Sequence, residues 1–422
     1  MTLSGFYLSL ALFSFFSALT VIVRARKLYF MTPLYFLTAW LTGELALHHI
    51  AWQLTLSVIC VFLGVLATTN GQLGLVLLVL SWLLLLRAHG TAMKTTPQVY
   101  KDALSLGLGE NFREDIPTLR RQVLRDAVRV RDWIRPFTMR CPGVKRVGNI
   151  AYGDAGKRNL LDVYSPSEPV TGGAPVLLQV HGGAWVIGHK REQALPLMYH
   201  LAQRGWVCVA INYRLSPADS MPAHIIDVKK AIAWIREHIA EYGGNPDFVA
   251  ITGGSAGGHL SSLAALTPNK ADWQPGFEEV DTSIQAAVPF YGIYDFLDSE
   301  KIRDGMSMEG FLAKNVFQCQ PQEDLELWQQ CSTINHVSAE APPMFVIHGT
   351  HDSLAWNEEG QDFVGKLREV ATQPVVHAEL EGAQHAFEMF HSPRTEYTLN
   401  AVAEFLEWAH ARWLTQKTIA PE

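Results

Sequence analysis

Long uncharged apolar runs occupy the first 86 residues of the chain. The run from Thr2 to Val23 extends over 22 residues, enough for a helix to cross a hydrocarbon core of about 30 Å. A second run, from Leu45 to Leu86, is interrupted by the polar residues 68–72, which favour a tight turn between two helices. We therefore predict a transmembrane region over residues 1–87. Its predicted membrane helices lie near residues 3–23, 50–68 and 72–87.

Residues 28–48 form a shorter apolar segment, with Pro33 near its start and Glu44 and His48 near its end. This pattern favours a helix that lies in the membrane interface or re-enters the membrane, with a full span as the alternative. Basic residues follow the first and the last predicted membrane helix, and positive charge marks the cytoplasmic end of a span. These residues are Arg24, Arg26, Lys27 and Arg87.

Both basic ends are cytoplasmic only if the number of crossings is odd. We therefore predict three crossings, a multi-pass integral membrane protein, and a C-terminal domain on the cytoplasmic side. If residues 28–48 span the membrane, the number becomes four and the C-terminal domain lies outside.

Residues 88–146 form a basic connector. Apolar residues and arginines alternate at nearly helical spacing over residues 116–134, which predicts an amphipathic helix. Such a helix next to a membrane span favours a position on an anionic lipid surface. The alternative is a charged helix that packs on the C-terminal domain.

From residue 147 onward the pattern changes to short strands rich in β-branched residues, most of them separated by helical segments. This alternation predicts an α/β domain over residues 147–422, in which a mostly parallel central sheet carries helices on both faces. The predicted strands are residues 160–164, 176–180, 207–213, 249–252, 284–291, 345–348 and 375–380. Ligand sites in such sheets lie at the carboxyl ends of the strands.

The distribution of net charge along the chain limits the kinds of partner that the protein can bind. The formal net charge is −7, and it divides into +2 for residues 1–86, +7 for residues 87–146 and −16 for residues 147–422. An acidic C-terminal domain argues against nucleic acid as the partner, because phosphate binding needs a basic face. Five cysteines in 422 residues exclude a disulfide scaffold.

A G-x-S-x-G motif directly follows the predicted strand 249–252 and opens a predicted helix. It consists of Gly253, Gly254, Ser255, Ala256 and Gly257. A nucleophilic serine needs such a strained turn between strand and helix to lift its hydroxyl clear of the sheet. A phosphate-binding loop is excluded, because no Gly-Lys-Ser/Thr follows. Ser255 is therefore the candidate nucleophile, and a structural serine in a glycine-rich turn is the alternative.

The predicted strand 176–180 ends in a second glycine-rich loop, His181 to Trp185. Acyl transfer places negative charge on a carbonyl oxygen, and backbone N–H groups must already point at it. The candidate oxyanion-hole residues are Gly182, which permits the sharp turn, with Gly183, Ala184 and Ala256 as donors.

The general base is expected to be a histidine held by a carboxylate, in the chain order Ser, acid, His. His385 follows the predicted strand 375–380, and Asp352 follows the predicted strand 345–348, so both occupy carboxyl ends. The weaker candidates are His377 and His391 for the base and Asp295 and Glu358 for the acid. Glu44 and His48 have metal-ligand spacing, but without a third ligand we interpret them as an interfacial polar cluster.

These motifs resemble the hormone-sensitive-lipase-type branch of the α/β-hydrolase family. The residues that carry the resemblance are 181–185, 212–217, 253–258, Asp352 and His385. The stretch from His181 to Ser255 is similar to isoprenylcysteine methylesterases and bacterial membrane-anchored carboxylesterases. The resemblance implies an α/β-hydrolase fold and serine-triad hydrolysis without a cofactor or metal. Ala184 replaces the usual Gly, which points to the methylesterase and formamidase side of the family.

The sequence thus predicts a membrane-anchored carboxylesterase with a catalytic domain in the cytoplasm. Residues 296–337, rich in Met, Phe and Trp, are expected to form part of a cap over the pocket. Because of the anchor and of Phe311, Phe317 and Trp328 in this segment, we expect a small-molecule or lipid-like ester that partitions into membranes. The alternatives are an amide or formamide hydrolase with the same triad, and a non-catalytic receptor on this fold.

Overall fold

A computed structural model describes residues 2–24, 32–124, 128, 130–168, 170, 172–303 and 308–419. Within these residues, eight strands form one sheet in the order β1-β2-β4-β3-β5-β6-β7-β8. β1 and β4 both run antiparallel to β2, and the strands from β4 to β8 are parallel. The strands are β1 (Val144–Ala151), β2 (Leu160–Pro166), β3 (Ala174–Val180), β4 (Val207–Ile211), β5 (Gly244–Gly254), β6 (Ala286–Phe290), β7 (Met344–Gly349) and β8 (Val375–Leu380).

Helices cover both faces of this sheet. One hydrophobic core joins α8, α9 and α12 to one face, and a second joins α7, α13 and the end of α4 to the other. The mostly parallel sheet between helices that the sequence predicts is confirmed. The helices are α1 (Leu3–Ile22), α2 (Thr32–Glu44), α3 (Ala46–Phe62), α4 (Thr69–Leu108), α5 (Thr118–Val123), α6 (Val130–Ile134), α7 (Leu195–Ala202), α8 (Ala223–His238), α9 (Ala256–Leu266), α10 (Glu309–Phe311), α11 (Leu325–Cys331), α12 (Asn357–Val370) and α13 (Pro393–Ile419).

In the N-terminal region, α1 and α4 pack side by side and run in the same direction. The Ser81 hydroxyl donates to the Ser14 carbonyl at 3.1 Å, and Gly74, seven residues earlier, packs against Tyr7. α3 runs the other way, since Ala46 belongs to the same hydrophobic cluster as Leu85 and Cys60 belongs to the same cluster as Leu78. α2 and α3 meet at a bend of 87°.

Among the described residues, α1 and α4 are long and apolar enough to cross a membrane, and a third span results if the bent α2–α3 pair counts as one. The predicted helix near residues 3–23 matches α1 closely. The helix predicted near residues 50–68 is α3, which ends at Phe62. Residues 28–48 contain α2 from Thr32, while Arg26 and Lys27, used to predict the topology, lie outside the described residues.

The helix predicted to end near residue 87 is longer than expected. α4 extends over 40 residues to Leu108 and continues through Pro97. Its second half is buried on one face at four-residue spacing, at Ala88, Ala92, Thr96 and Tyr100. That face packs on the α/β domain, where Tyr100 and Thr398 share a hydrogen bond of 2.7 Å between their hydroxyls. The expected boundary at residues 87 and 88 therefore lies inside one continuous helix.

The predicted amphipathic helix over residues 116–134 is wrong as a single element. The described residues contain two short helices, α5 and α6, and α5 ends where Leu124 adopts an extended conformation. Arg120 forms an ion pair with Glu407 of α13, and Arg113 forms one with Glu404 at 2.6 Å. These ion pairs hold the start of the segment on the α/β domain, which is the alternative that the charge pattern left open. Arg125 and Arg129 lie outside the described residues.

Candidate active site

Ser255 occupies the sharp turn between β5 and α9. Its backbone has φ of 59° and ψ of −121°, a strained conformation for a residue with a side chain. The turn is tight because its glycines touch other backbone: a Cβ at Gly257 would lie 2.1 Å from the Val180 carbonyl oxygen. The local sequence thus folds into the elbow expected of a nucleophilic serine.

The glycine-rich loop after β3 packs directly on this elbow. A Cβ at Gly182 would lie 2.4 Å from the Gly254 carbonyl oxygen, so only glycine permits this approach. The Gly182 N–H donates to Gln193 Oε1 at 2.6 Å. Gly182 therefore contributes the close packing of the loop on the elbow. Its N–H already donates to Gln193 and is not available to an oxyanion.

Three further N–H groups remain for an oxyanion. Gly183 and Ala184 have φ of 114° and 52°, and their N–H groups, like that of Ala256, donate to no other group among the described residues. Ala256 is the first residue of α9, whose N-terminus favours negative charge. His181, at the start of the loop, is buried and stacks on Tyr213, and burial lowers its pKa to about 4. Its role is therefore structural.

Asp352 and His385 form the hydrogen-bonded pair that the sequence predicts. His385 Nδ1 lies 2.7 Å from Asp352 Oδ2, and both side chains are almost fully buried. A carboxylate only accepts, so Nδ1 carries the proton and Nε2 retains the lone pair that a general base needs. Burial would raise the pKa of Asp352, but the adjacent His385 and His348 side chains hold it well below its usual range.

Further hydrogen bonds fix this pair. Asp352 Oδ1 accepts the N–H groups of Leu354 and Ala355, both at 2.8 Å. The Gln384 side chain ties the two loops together, because its Oε1 accepts from the N–H of Ser353 at 2.7 Å and from that of His385 at 2.9 Å. Sequence reasoning did not identify Gln384, although it precedes His385 directly.

Sheet order brings the candidate catalytic residues to one edge. β5, β6, β7 and β8 are neighbours, and Ser255, Tyr291, Asp352 and His385 follow their carboxyl ends in that order. Tyr291 lies between the elbow and the base: its ring centroid is 4.4 Å from that of His385, and a Cβ at Gly254 would meet its hydroxyl at 2.6 Å. Its place directly after β6 is a signal that could have identified it from the sequence.

Tyr291 donates its hydroxyl to Glu388, a buried carboxyl that no sequence motif marks. Burial raises the pKa of Glu388 above its usual value, and the hydrogen bond from Tyr291 opposes that shift only in part. Glu388 Oε2 has no hydrogen-bond partner among the described residues. A buried acid therefore supports the ring that packs on His385.

Three of the four weaker candidates have other partners. Asp295 accepts the N–H groups of Leu297 and Ser299, and Glu358 pairs with Arg24 at 3.0 Å. His391 Nδ1 lies 2.6 Å from Glu396 Oε1, while His377 lies within β8.

The metal-ligand spacing of Glu44 and His48 has a different explanation. The Glu44 carboxylate accepts from Arg394 and from the Ser392 hydroxyl, both at 2.7 Å. In the described part of the chain, one further group, Asp132 with His391 and Glu396, brings possible ligand atoms within 4.8 Å of one another. The hydrogen bond between His391 and Glu396 accounts for that pair without an ion.

Residues 296–337, described except for 304–307, pack beside the oxyanion loop. Phe296 contacts Trp185 with ring centroids 5.2 Å apart. Phe317 and Trp328 stack at 4.1 Å and are buried in the core. Of the three aromatic residues named in the expected cap, Phe317 and Trp328 therefore fill the interior, and Phe311 is exposed.

A different segment contacts the candidate base. Phe36 of α2 packs edge-on against His385, with ring centroids 6.1 Å apart. Trp40, one turn later, donates its indole N–H to the Ala386 carbonyl at 2.9 Å. Sequence reasoning assigned this segment to the membrane interface and did not connect it with the site, because the contacts join residues about 350 positions apart.

Comparisons with known proteins identify the family of the α/β domain. The BD-FAE family model matches residues 161–367. A probable carboxylic ester hydrolase of Mycobacterium tuberculosis, LipM, is 51% identical over 295 residues, which cover 66% of this chain and 68% of LipM. The chain belongs to this α/β-hydrolase family of carboxylic ester hydrolases.

Two more distant relatives extend the comparison. The probable isoprenylcysteine alpha-carbonyl methylesterase ICMEL1 of Arabidopsis thaliana is 31% identical, over 56% of this chain and 49% of its own length. The propionate-bound structure of esterase Est2 from Thermogutta terrifontis matches with a TM-score of 0.52 and 24% identity, over 68% of this chain and 98% of Est2. The second likeness shows the fold alone. The resemblance to α/β-hydrolases and methylesterases inferred from the motifs is confirmed.

Proposed function

We propose that this protein is a membrane-anchored serine hydrolase that cleaves carboxylic esters through an acyl-enzyme formed on Ser255. The observation that carries the proposal is the 2.7 Å hydrogen bond between Asp352 and His385, at the same edge of the sheet as the strained turn at Ser255. A nucleophile on a strained turn and a base oriented by a buried carboxylate are the parts that acyl transfer requires.

Ser255 Oγ attacks the ester carbonyl while His385 Nε2 accepts the hydroxyl proton. Asp352 stays ionised, holds the imidazole in the required tautomer and stabilises the imidazolium. The negative charge on the carbonyl oxygen is stabilised by the N–H groups of Gly183, Ala184 and Ala256. The carbon–oxygen bond to the alcohol then breaks, and the alcohol leaves with the proton from His385. Water attacks the acyl-enzyme by the same route, and the carboxylic acid is released.

We further propose that the chain crosses the membrane three times, with α1, α3 and α4 as spans and α2 at the interface. The parallel packing of α1 and α4, with α3 antiparallel between them in the chain, supports an odd number of crossings. Arg24 and Arg87 are basic residues near the ends of α1 and of the apolar part of α4. Val21 and Ala88 beside them line one cavity with His351 of the α/β domain. The positive-inside rule then gives a cytoplasmic catalytic domain.

Kinetics of single substitutions test the triad. Ser255→Ala and His385→Ala are each expected to lower kcat by about 10⁴-fold or more, because the two residues act as one unit. The panel contains esters of graded chain length and matched amides, so that it also separates ester from amide hydrolysis. Ser255→Thr is the matched variant that retains a hydroxyl. Retained ester hydrolysis in folded Ser255→Ala would contradict the proposal, and faster turnover of the amides would reassign the reaction.

Reporter fusions test the orientation. A C-terminal alkaline-phosphatase fusion is expected to be inactive, and a C-terminal green-fluorescent-protein fusion is expected to fluoresce, because the first reporter folds only outside the cytoplasm. An active phosphatase at the C-terminus would place the catalytic domain outside and would favour an even number of crossings.

A further inference from the structure

α2 presents three different faces to its surroundings. Tyr35 and Ala39 are buried, and Tyr35 donates its hydroxyl to the Thr20 carbonyl of α1 at 3.0 Å. Leu34 and Leu37 are 57% and 47% exposed and point away from the protein. Phe36 and Trp40 face the catalytic loop and are only half buried. The third face is therefore apolar, close to the candidate base and open enough to meet a ligand.

Several independent contacts hold this face against the loop that carries His385. Phe36 and Trp40 stack on each other with ring centroids 5.3 Å apart and planes 8° from parallel. Trp40 also packs on Phe390 at 5.4 Å. At the end of the helix, Glu44 forms a buried ion pair with Arg394 at 2.7 Å. The helix is thus fixed on the α/β domain at both the site and its C-terminal end.

We propose that α2 is a wall of the ester-binding site, in which Phe36 contacts the apolar chain of the bound ester and Trp40 fixes the position of Phe36. The inference rests on the proposed serine hydrolysis, because a bound ester must come within hydrogen-bond distance of the imidazole that Phe36 touches. The N-terminal region then selects the substrate as well as anchoring the enzyme.

The chemistry of the wall defines the class of ester. The side chain of Phe36 is purely apolar, and apolar surface removed from water on binding favours a chain over a small polar group. Leu34 and Leu37 lie on the outward face of the same helix and are not part of this wall. Esters with long hydrocarbon chains are therefore expected to gain most from this wall.

Chain-length selectivity tests the wall in the full-length enzyme in detergent. Two ester series are needed, one with growing acyl chains on a fixed alcohol and one with growing alcohols on a fixed acetyl group, because the wall contacts one chain of the ester. Phe36→Ala is expected to lower the ratio of kcat/KM for decanoyl or decyl esters to that for the shortest ester by about tenfold or more in one series. Phe36→Leu is expected to fall between wild type and Phe36→Ala.

Two further variants distinguish contact with the bound ester from a general effect of changing α2. Leu37→Ala, on the outward face of the same helix, is the matched control and is expected to leave both profiles unchanged. Trp40→Phe retains an aromatic ring but removes the hydrogen bond to Ala386. Because Phe36 is then held less firmly, the chain-length ratio is expected to fall, but by less than in Phe36→Ala. Thermal unfolding of each variant verifies that it is folded.

The outcomes separate this inference from the proposed function. Unchanged profiles in both series for folded Phe36→Ala and Phe36→Leu would overturn the wall while leaving the triad intact. Ester hydrolysis that survives in Ser255→Ala would overturn the proposed function itself. If Phe36→Ala fails to fold, Phe36→Leu decides the question, since it retains an apolar side chain of reduced reach.

Discussion

The α/β domain and α2 both contact His385, but they hold it in different ways. The domain fixes the imidazole through polar groups: Asp352 bonds Nδ1, two backbone N–H groups bond Asp352, and Gln384 joins the two loops. α2 contributes a ring edge and one hydrogen bond to the neighbouring carbonyl. Directional bonds suit a group that must transfer a proton, whereas an apolar ring leaves the chemistry intact and shapes only what lies beside it.

Two aromatic pairs near the site, one in residues 296–337 and one in α2, differ in how deeply they are buried. In residues 296–337, Phe317 and Trp328 stack at 4.1 Å inside the core. In α2, Phe36 and Trp40 stack at 5.3 Å but remain half exposed. A buried aromatic pair stabilises the fold, while a half-exposed pair beside the base is available to a ligand. The composition of a segment alone does not distinguish these two uses.

The largest expected effect is on kcat, and it comes from removing a polar group that holds His385. Asp352→Asn removes the charge that orients the imidazole, and it is expected to lower kcat by about 10³-fold to 10⁴-fold. The loss should be the same for acetyl and decanoyl esters, because proton transfer is common to both. A loss that depends on chain length would show that Asp352 also shapes the binding site.

The next effect concerns stability. Trp328→Ala removes a fully buried indole and is expected to lower the free energy of unfolding by about 4 kcal/mol, through lost burial and the cavity left behind. Its chain-length profile should match that of the wild type, in contrast to Phe36→Ala. Denaturant unfolding and the two ester series measure both quantities. A changed profile with unchanged stability would show that Trp328 lines the pocket after all.

Much of the α/β domain could be predicted because its signals are local. The motif around Ser255 and the loop at His181 each follow an apolar strand. Asp352 and His385 each follow a further apolar strand. The strand order then explains why these residues meet. Tyr291 and Gln384 lie next to predicted features and were within reach of the same reasoning.

The contribution of the N-terminal region could not be predicted in this way. The Trp40–Ala386 and Glu44–Arg394 contacts join distant parts of the chain, and no short motif marks either partner. The extension of α4 past residue 87 did have a signal, since Ala88, Ala92, Thr96 and Tyr100 repeat every four residues. The charge at Arg87 and the fall in hydropathy after it led to a predicted helix end near residue 87.

The ion pair between Glu44 and Arg394 tests how firmly α2 is held on the domain. Both side chains are only 2% exposed, so Glu44→Gln leaves a buried guanidinium without its counter-charge and is expected to cost about 3 kcal/mol of stability. A double-mutant cycle with Arg394→Met isolates the coupling between the two residues. Additive losses would mean that the pair does not link the two regions.

The smallest expected effect concerns Glu388 and pH. Burial raises its pKa, so the folded state disfavours the charged form, and stability is lost as the pH rises from the ordinary carboxyl pKa through the raised one. Glu388→Gln stays neutral and keeps an oxygen to accept from Tyr291. The variant is therefore expected to gain in melting temperature relative to the wild type as the pH rises from 4 to 9. A constant difference across this range would contradict the raised pKa.

Covalent labelling tests the central claim most directly. A fluorophosphonate probe should modify the full-length enzyme at one site, and peptide mapping should find the label on Ser255. Labelling should be lost in Ser255→Ala and strongly slowed in His385→Ala, because the serine then lacks its base. It should persist in Phe36→Ala, whose substitution leaves the triad in place. A label on another residue, or undiminished labelling of folded Ser255→Ala, would contradict the account.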